Sequence, residues 1–133
     1  MYQKKLPAAD LDCGLNLFKE VIHGKWKIIL LYHINNGIKR PGQLQKMMPD
    51  ADRRVLDIQL GELTIHGLIS KIKYPSLPPK VEYEMTALGK TILPVIVHMS
   101  QWGDAHRVEL QKHINYTSSI KSEVKTPSCE MVV

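Results

Sequence analysis

The segment Arg53–His66 places the tightest limit on what this chain can fold into. Leu56, Leu60 and Leu63 recur at spacings of four and three residues, which puts them on one face of a helix. Asp52 directly precedes the segment and belongs to the residue types that favour a helix N-cap. The pattern therefore predicts an amphipathic helix with an apolar inner face and a polar outer face.

A shorter helix is predicted on the other side of a tight turn. Pro41 stands where a first helical residue is expected, and Leu44 and Met47 would face inward from a helix over Pro41–Met48. Residues 48–51, with the sequence Met-Pro-Asp-Ala, are predicted to form the turn. A short helix, a tight turn and a second amphipathic helix make up a helix-turn-helix.

A β-hairpin is predicted directly after this unit. Leu68–Tyr74 mixes apolar and polar residues, while Val81, Tyr83 and Met85 alternate with glutamates. Residues 75–79, three of which are prolines, join the two runs. A hairpin behind a helix-turn-helix is the arrangement of a winged helix, in which the second helix enters the major groove and the hairpin straddles the adjacent backbone.

Three more helices are predicted around the helix-turn-helix. Asp12–His23, with its first residue as N-cap, and Lys25–Asn35 both place apolar residues at helical spacing. Thr86 is expected to cap a long last helix from Ala87 to about His113, kinked at Pro94. This last helix is apolar around most of its circumference, which is more than one small winged domain can cover. A two-fold partner is therefore expected.

The predicted fold is mainly α with a small β-hairpin, a winged helix-turn-helix whose long C-terminal helix serves dimerisation. Residues 1–12 are predicted to be an N-terminal arm and 13–114 the winged domain with its dimerisation helices. Residues 115–133, rich in Ser, Thr and Lys, are predicted to be a disordered tail.

The outer face of the second helix is the predicted DNA-reading surface. It carries Arg54, Asp57, Ile58 and Gly61, with Arg53 at its edge. Arginines in the first turn of such a helix reach base edges and can bond guanine, and an isoleucine can contact a thymine methyl group. The alternative is that both arginines are solvated surface charges.

Further candidate DNA contacts lie outside this helix. They are Arg40 and Gln43 beside the first helix of the motif, and Lys71, Lys73 and Lys80 in the hairpin. The alternative for the lysines is that they keep an exposed strand edge soluble. The net charge of +5 and the pI near 9.2 favour an anionic partner such as nucleic acid.

Other classes of protein find little support in the sequence. The six histidines form no His-x-x-x-His pair, and there is no phosphate loop and no Gly-x-Ser-x-Gly motif. The two cysteines, Cys13 and Cys129, form no Cys-x-x-Cys pair, and no stretch approaches the length of a membrane span. We therefore expect a cytoplasmic protein that is not an enzyme and has no cofactor, no metal and no membrane partner. A winged helix that docks another protein, without specific DNA binding, remains the alternative.

Several stretches of the chain resemble the HxlR-type winged helix-turn-helix regulators, over about residues 13–103. They are Gly24-Lys25-Trp26, Leu56-x-x-x-Leu60-x-x-Leu63-x-x-x-Gly67-Leu68-Ile69, Tyr74, Pro78-Pro79-Lys80-Val81-Glu82-Tyr83-Glu84-Met85-Thr86-x-x-Gly89 and Trp102-Gly103. The proline-proline-basic string is the specific part. Two positions depart from the common pattern, since Gly14 replaces a proline and Asp52 a serine.

The resemblance implies a homodimer held by the first and last helices and bound to a two-fold DNA operator. The residues expected at the dimer interface are Leu15, Phe18, Leu93, Ile96, Met99 and Trp102. The resemblance also implies a cysteine near the start of the first helix that senses oxidants or electrophiles in some members, and Cys13 stands there. The helix dipole would favour its thiolate, whereas the alternative is an inert, small apolar residue. Nothing in the sequence identifies a small-molecule effector.

Overall fold

The computed structural model describes residues 11–118, which form six helices and one two-stranded antiparallel sheet. In chain order the elements are α1 (Gly14–Ile22), α2 (Lys27–Asn35), α3 (Pro41–Met47), α4 (Arg53–Ile65), β1 (Ile69–Tyr74), β2 (Lys80–Met85), α5 (Ala87–Ala105) and α6 (Arg107–Ser118). The predicted class, a mainly helical winged helix-turn-helix with a small hairpin, is confirmed.

Helix α4 begins at the predicted Arg53 and ends at Ile65, one residue before the predicted end at His66. The Asp52 carboxylate accepts a hydrogen bond from the backbone N–H of Arg54 over 3.0 Å and so caps the helix. Gly67 has a φ of +79°, which an L side chain rarely adopts, and this lets the chain turn out of the helix into β1. The three leucines of the inner face are all buried.

Helix α1 begins at Gly14, and its N-cap is Cys13, not the predicted Asp12. The backbone of Cys13 is extended, and its carbonyl accepts the first helical hydrogen bond, from the N–H of Leu17 over 3.0 Å. Asp12 therefore lies outside the helix, although its residue type favours a cap.

The core lies where α2, α3, α4, the hairpin and α5 meet. Leu30 and Leu31 of α2, Leu44 of α3 and Leu60 of α4 are fully buried there. Burying one such side chain contributes about 1.5–3 kcal/mol. The same core holds Tyr83 of β2, so it anchors the hairpin as well as the helices.

The base of the hairpin is bound closely to the start of α5. The Thr86 hydroxyl donates to the carbonyl of Gly67 over 2.6 Å and accepts from the N–H of Gly89 over 2.9 Å, which confirms the predicted cap. A Cβ atom at Gly89 would overlap the carbonyl oxygen of Leu68. The absence of a side chain at Gly89 is therefore what permits this approach of α5 to β1.

The prediction of one last helix from Ala87 to about His113 is wrong, because the helix breaks at His106. The His106 ring nitrogen Nδ1 lies 2.9 Å from the carbonyl oxygen of Trp102, which also accepts a hydrogen bond from the backbone N–H of His106 over 3.2 Å. Pro94 lies inside α5 without ending it. Helix α6 runs past the predicted start of the tail at residue 115, while residues 1–10 and 119–133 lie outside the described part of the chain.

Candidate nucleic-acid interface

The outer face of α4 presents two arginines at the beginning of the helix. Arg53 and Arg54 are both exposed in the first turn, and Ile58 is partly exposed one turn later. Among residues 11–118 the guanidinium of Arg54 has no ion-pair partner. An unpaired, exposed guanidinium at a helix N-terminus is available to a nucleic-acid phosphate or base edge.

Arg53 is paired within its own helix. Its Nε lies 3.2 Å from Oδ1 of Asp57, one turn further along, and both side chains are about half exposed. The carboxylate of Asp57 therefore pairs with a cation of its own helix. The sequence alone did not show what this acidic side chain does on the predicted DNA-reading surface. In the free protein, Asp57 reduces the positive charge that this edge of α4 presents.

An open cleft of about 790 Å³ separates α4 from the hairpin, with α3 beginning at its edge. Its cationic lining side chains are Arg40, Arg53, Lys71 and Lys80, and its single acid is Asp57. The structure thus brings together five of the nine residues predicted to contact DNA. Gln43, Lys73 and Arg54 are exposed outside the cleft lining, and the partly exposed Ile58 also lies outside it.

Arg40 has a carboxylate partner that the sequence analysis missed. Its Nε lies 3.2 Å from Oε2 of Glu82 on β2, and the other oxygen of Glu82 accepts a hydrogen bond from the hydroxyl of Tyr74 over 3.3 Å. The negative charge of Glu82 is the main cause of a raised pKa of Tyr74. The alternation of β2 was the available signal, because it places Glu82 on the strand face opposite Val81 and Tyr83.

A second missed feature is a polar joint between α2 and the inner face of α4. Lys27 is 0% exposed, and its Nζ lies 2.9 Å from Oε1 of Glu62, which is 14% exposed. Gln59, also buried, accepts a hydrogen bond from the backbone N–H of Trp26 over 2.9 Å. A Cβ atom at Gly24 would come within 3.0 Å of the Gln59 side-chain oxygen. These contacts fix the start of α2 against the helix that carries the arginines.

The electrostatic effect of this joint extends to the end of α4. Burial lowers the pKa of His66, and the nearby ammonium group of Lys27 lowers it further. Sequence pattern alone pointed to none of these polar residues, because lysine, glutamine and glutamate are expected at the surface.

Cys13 lies at the exposed N-cap of α1. The backbone N–H groups of Asn16 and Leu15, followed by the ammonium of Lys19, lower the pKa of the Cys13 thiol. A lowered pKa and an exposed position both favour reaction through the thiolate. Cys129 lies outside the described residues.

The predicted dimer residues divide into three groups. Leu15, Met99 and Trp102 are exposed, and Trp102 retains 59% of its surface. Phe18 and Leu93 are partly buried against the core of their own chain. Ile96 lies inside that core at 2% exposure, so the expectation that it contacts a partner is corrected. Exposed apolar side chains that were not predicted also lie along α1 and α5, namely Leu17, Leu88 and Val95.

Two other kinds of arrangement are absent from the described residues. No helix within 11–118 is long and apolar enough to cross a membrane. Across the same residues, no group of three or more His, Cys, Asp or Glu side chains is placed to hold a metal ion.

Comparison with known proteins gives consistent similarities. A family model described as HxlR-like helix-turn-helix matches residues 21–111, a span that contains α2 to α5 and both strands. The uncharacterised HTH-type transcriptional regulator YdeP of Bacillus subtilis is 42% identical over 100 residues, which is 75% of this chain and 78% of YdeP. YkvN, an uncharacterised HTH-type transcriptional regulator of the same organism, is 43% identical over 92 residues, covering 69% of this chain and 78% of YkvN.

Solved structures agree with this result. The redox regulator HypR in its reduced form superposes with a TM-score of 0.71 at 37% identity, covering 75% of this chain and 99% of HypR. The putative HTH-type transcriptional regulator ytcD superposes with a TM-score of 0.68 at 37% identity, covering 71% of this chain and 96% of ytcD.

Proposed function

This chain belongs to the HxlR-like helix-turn-helix family and is a DNA-binding transcriptional regulator, and we propose that it binds a two-fold operator as a homodimer. Each copy would place α4 in the major groove and its hairpin beside the adjacent backbone. The observation that carries this proposal is the pair of exposed arginines at the start of α4, next to a cleft lined by four cationic side chains.

The proposed contacts follow from position and charge. Arg54, which has no ion-pair partner among the described residues, reads a guanine edge, and Ile58 contacts a thymine methyl group one turn later. Lys71 and Lys80, at the cleft, bind phosphates on the strand that passes between α4 and the hairpin. Lys73 and Gln43 bind phosphates at the margins of the surface.

A second copy of the chain is the proposed cover for the apolar side chains of α1 and α5. Leu15, Met99 and Trp102 are exposed to water in the single chain, and burying apolar surface of this kind against a partner is favourable. Two-fold pairing of identical surfaces would bury them and would place two α4 helices on one duplex.

Salt dependence of DNA binding tests this proposal. The duplex is selected from a random-sequence pool by the purified full chain, and the oligomeric state is measured by sedimentation. Log affinity should fall linearly with log salt, with a slope of about −0.9 per phosphate contact. Lys71→Gln and Lys80→Gln should each reduce that slope by about one. The control is Lys112→Gln on α6, away from the cleft, which should leave it unchanged.

One result would contradict the proposed function. A monomer that enriches no duplex and shows no salt-sensitive binding would exclude the proposal and would favour a winged helix that docks a protein.

We also propose that Cys13 makes DNA binding sensitive to oxidants. The support is its exposure, its lowered pKa and the similarity to HypR, which is described as a redox regulator. A peroxide would transfer one oxygen to the thiolate, giving a sulfenic acid and hydroxide. Condensation with a second thiol would then form a disulfide and release water.

This proposal is tested by treating the protein with stoichiometric peroxide and measuring binding to the selected duplex. Binding should change in the wild type and in Cys129→Ser, which is the matched control, but not in Cys13→Ser. Because the pKa of Cys13 is lowered, its alkylation near neutral pH should be faster than that of an unperturbed cysteine and should slow as the pH falls. Unchanged binding by protein whose Cys13 is shown by mass spectrometry to be modified would exclude the role.

A further inference from the structure

Glu82 is held by two different elements at once. Its two carboxylate oxygens face the hydroxyl of Tyr74 on β1 and the guanidinium of Arg40, the N-cap residue of α3. At 21% exposure, the Glu82 side chain is the most enclosed member of this group. One acidic side chain therefore connects the hairpin to the first helix of the helix-turn-helix.

Backbone contacts connect the same two segments. The N–H of Tyr83 donates to the carbonyl of Lys39 over 2.9 Å, so the residues before α3 run beside β2. Lys39 also approaches Glu84, but its Nζ is 3.7 Å from that carboxylate, and the Glu84 side chain is 48% exposed. Of the two acids on this face of β2, Glu82 makes the closer and more enclosed contact.

Arg40 also lines the cleft between α4 and the hairpin, together with Lys71 and Lys80. A charge on that lining faces the space that the proposed function assigns to a DNA strand. In the free protein the Arg40 guanidinium is paired with Glu82, so its direction is set before any DNA arrives. The expectation that Arg40 contacts DNA therefore leaves out its partner within the chain.

We propose that Glu82 is a positioning residue for DNA recognition, which holds Arg40 and Tyr74 and thereby sets the hairpin at a fixed place relative to α3 and α4. This inference rests on the proposed DNA-binding function. The ion pair between Arg40 and Glu82 lies at the surface and contributes little to the stability of the fold. Its effect is preorganisation, because lysines already held at the correct distance from α4 lose less freedom when they bind phosphates.

Glu82→Gln removes the charge at almost constant shape. The proposal predicts that this change affects the affinity for a selected duplex and for a scrambled duplex differently. Affinity for the selected duplex should fall about fivefold, because the hairpin must be ordered during binding. Affinity for a scrambled duplex of the same composition should stay constant or rise, because a negative charge near phosphates is lost. The matched control is Glu84→Gln, which makes the same charge change on the same strand and should weaken binding to neither duplex.

A double-mutant cycle with Arg40→Met tests the connection directly. If Glu82 acts through Arg40, Glu82→Gln should cause no further loss in the Arg40→Met background. Tyr74→Phe removes the other partner without disturbing Arg40, and it should produce a smaller loss of the same kind. Thermal unfolding of each variant shows whether the fold is retained, and Tyr74→Phe serves as the test if Glu82→Gln proves unstable.

Two results would overturn the proposal. The first is that Glu82→Gln and Glu84→Gln both tighten binding to the two duplexes alike, which means that Glu82 acts only as a charge. The second is an equal loss from Glu82→Gln with and without Arg40. Either result is distinct from failure of the proposed function, in which the wild type would enrich no duplex at all.

Discussion

The two faces of α4 are built from different interactions although they share one backbone. The inner face buries three leucines and carries Glu62, which pairs with the buried Lys27. The outer face carries Arg53 and Asp57 as an exposed pair, together with Ile65, which is 81% exposed. The inner face holds the helix in place, and the outer face is left free for contacts outside the chain.

The two ion pairs have nearly the same length but differ in environment. Lys27 and Glu62 are 2.9 Å apart and largely out of water, whereas Arg53 and Asp57 are 3.2 Å apart and about half exposed. Water and salt screen the exposed pair, so that it adds little to folding. Loss of one partner from the enclosed pair leaves a charge without compensation. The contribution of these two ion pairs to folding stability therefore depends on their burial and not on their length alone.

Of the two ion pairs on α4, the larger effect should come from Glu62→Gln on the inner face. It leaves the fully buried ammonium of Lys27 without a counter-charge, and the free energy of unfolding should fall by about 3 kcal/mol. Denaturant unfolding measures the change. The control is the double variant Lys27→Met/Glu62→Leu, which removes both charges and should recover most of the loss. A loss below about 1 kcal/mol in the single variant would remove the distinction between the two pairs.

Truncating apolar side chains on the two faces should sharpen the comparison. Leu60→Ala leaves a cavity in the core and should destabilise the fold by about 2–5 kcal/mol. Ile65→Ala, five residues further along the same helix, removes a side chain that is already in water and should change stability by less than about 0.5 kcal/mol. Thermal or denaturant unfolding provides both values, and equal losses would show that the outer face is covered in solution.

Arg54→Ala should separate binding from stability on the outer face. Loss of one bidentate guanine contact weakens binding to the selected duplex by about 1–3 kcal/mol and relaxes the preference at one position per half-site. The free energy of unfolding should be almost unchanged, since the Arg54 side chain is exposed and has no ion-pair partner among residues 11–118. A loss that is uniform across all DNA sequences would assign Arg54 to a phosphate.

The smallest effect is expected for the exposed pair itself. A double-mutant cycle with Arg53→Ala and Asp57→Ala should give a coupling of about 0.3–0.5 kcal/mol in unfolding, and less at high salt. A coupling as large as that between Lys27 and Glu62 would contradict the expectation that the exposed ion pair is the weaker one.

Periodicity predicted the inner face of α4 because leucines and the Asp52 cap act through local geometry. It could not predict Lys27 or Gln59, because their burial depends on partners that lie 35 and 33 residues away in the chain. The break at His106 is different, because its ring contact is with the carbonyl of Trp102, four residues earlier, and no proline marks the break in the sequence.

The candidate site was predicted in part. Charge and position in the motif identified Arg40, Arg53, Lys71 and Lys80, which do line one cleft. The carboxylate that pairs with Arg40 depends on how β2 lies beside the residues before α3, which no local pattern encodes. The place of Cys13 at the start of α1, in contrast, was predicted from local pattern, whereas its exposure was not.

The close approach of Gly89 to the carbonyl of Leu68 has a mechanical consequence. With the Thr86 hydroxyl bridging Gly67 and Gly89, the first turn of α5 and the root of the hairpin have no room to slide past one another. In the proposed dimer, a rotation of α5 against the partner copy would therefore move the hairpin with it. The distance between the two hairpins on a duplex would then be set at the proposed contact between the copies.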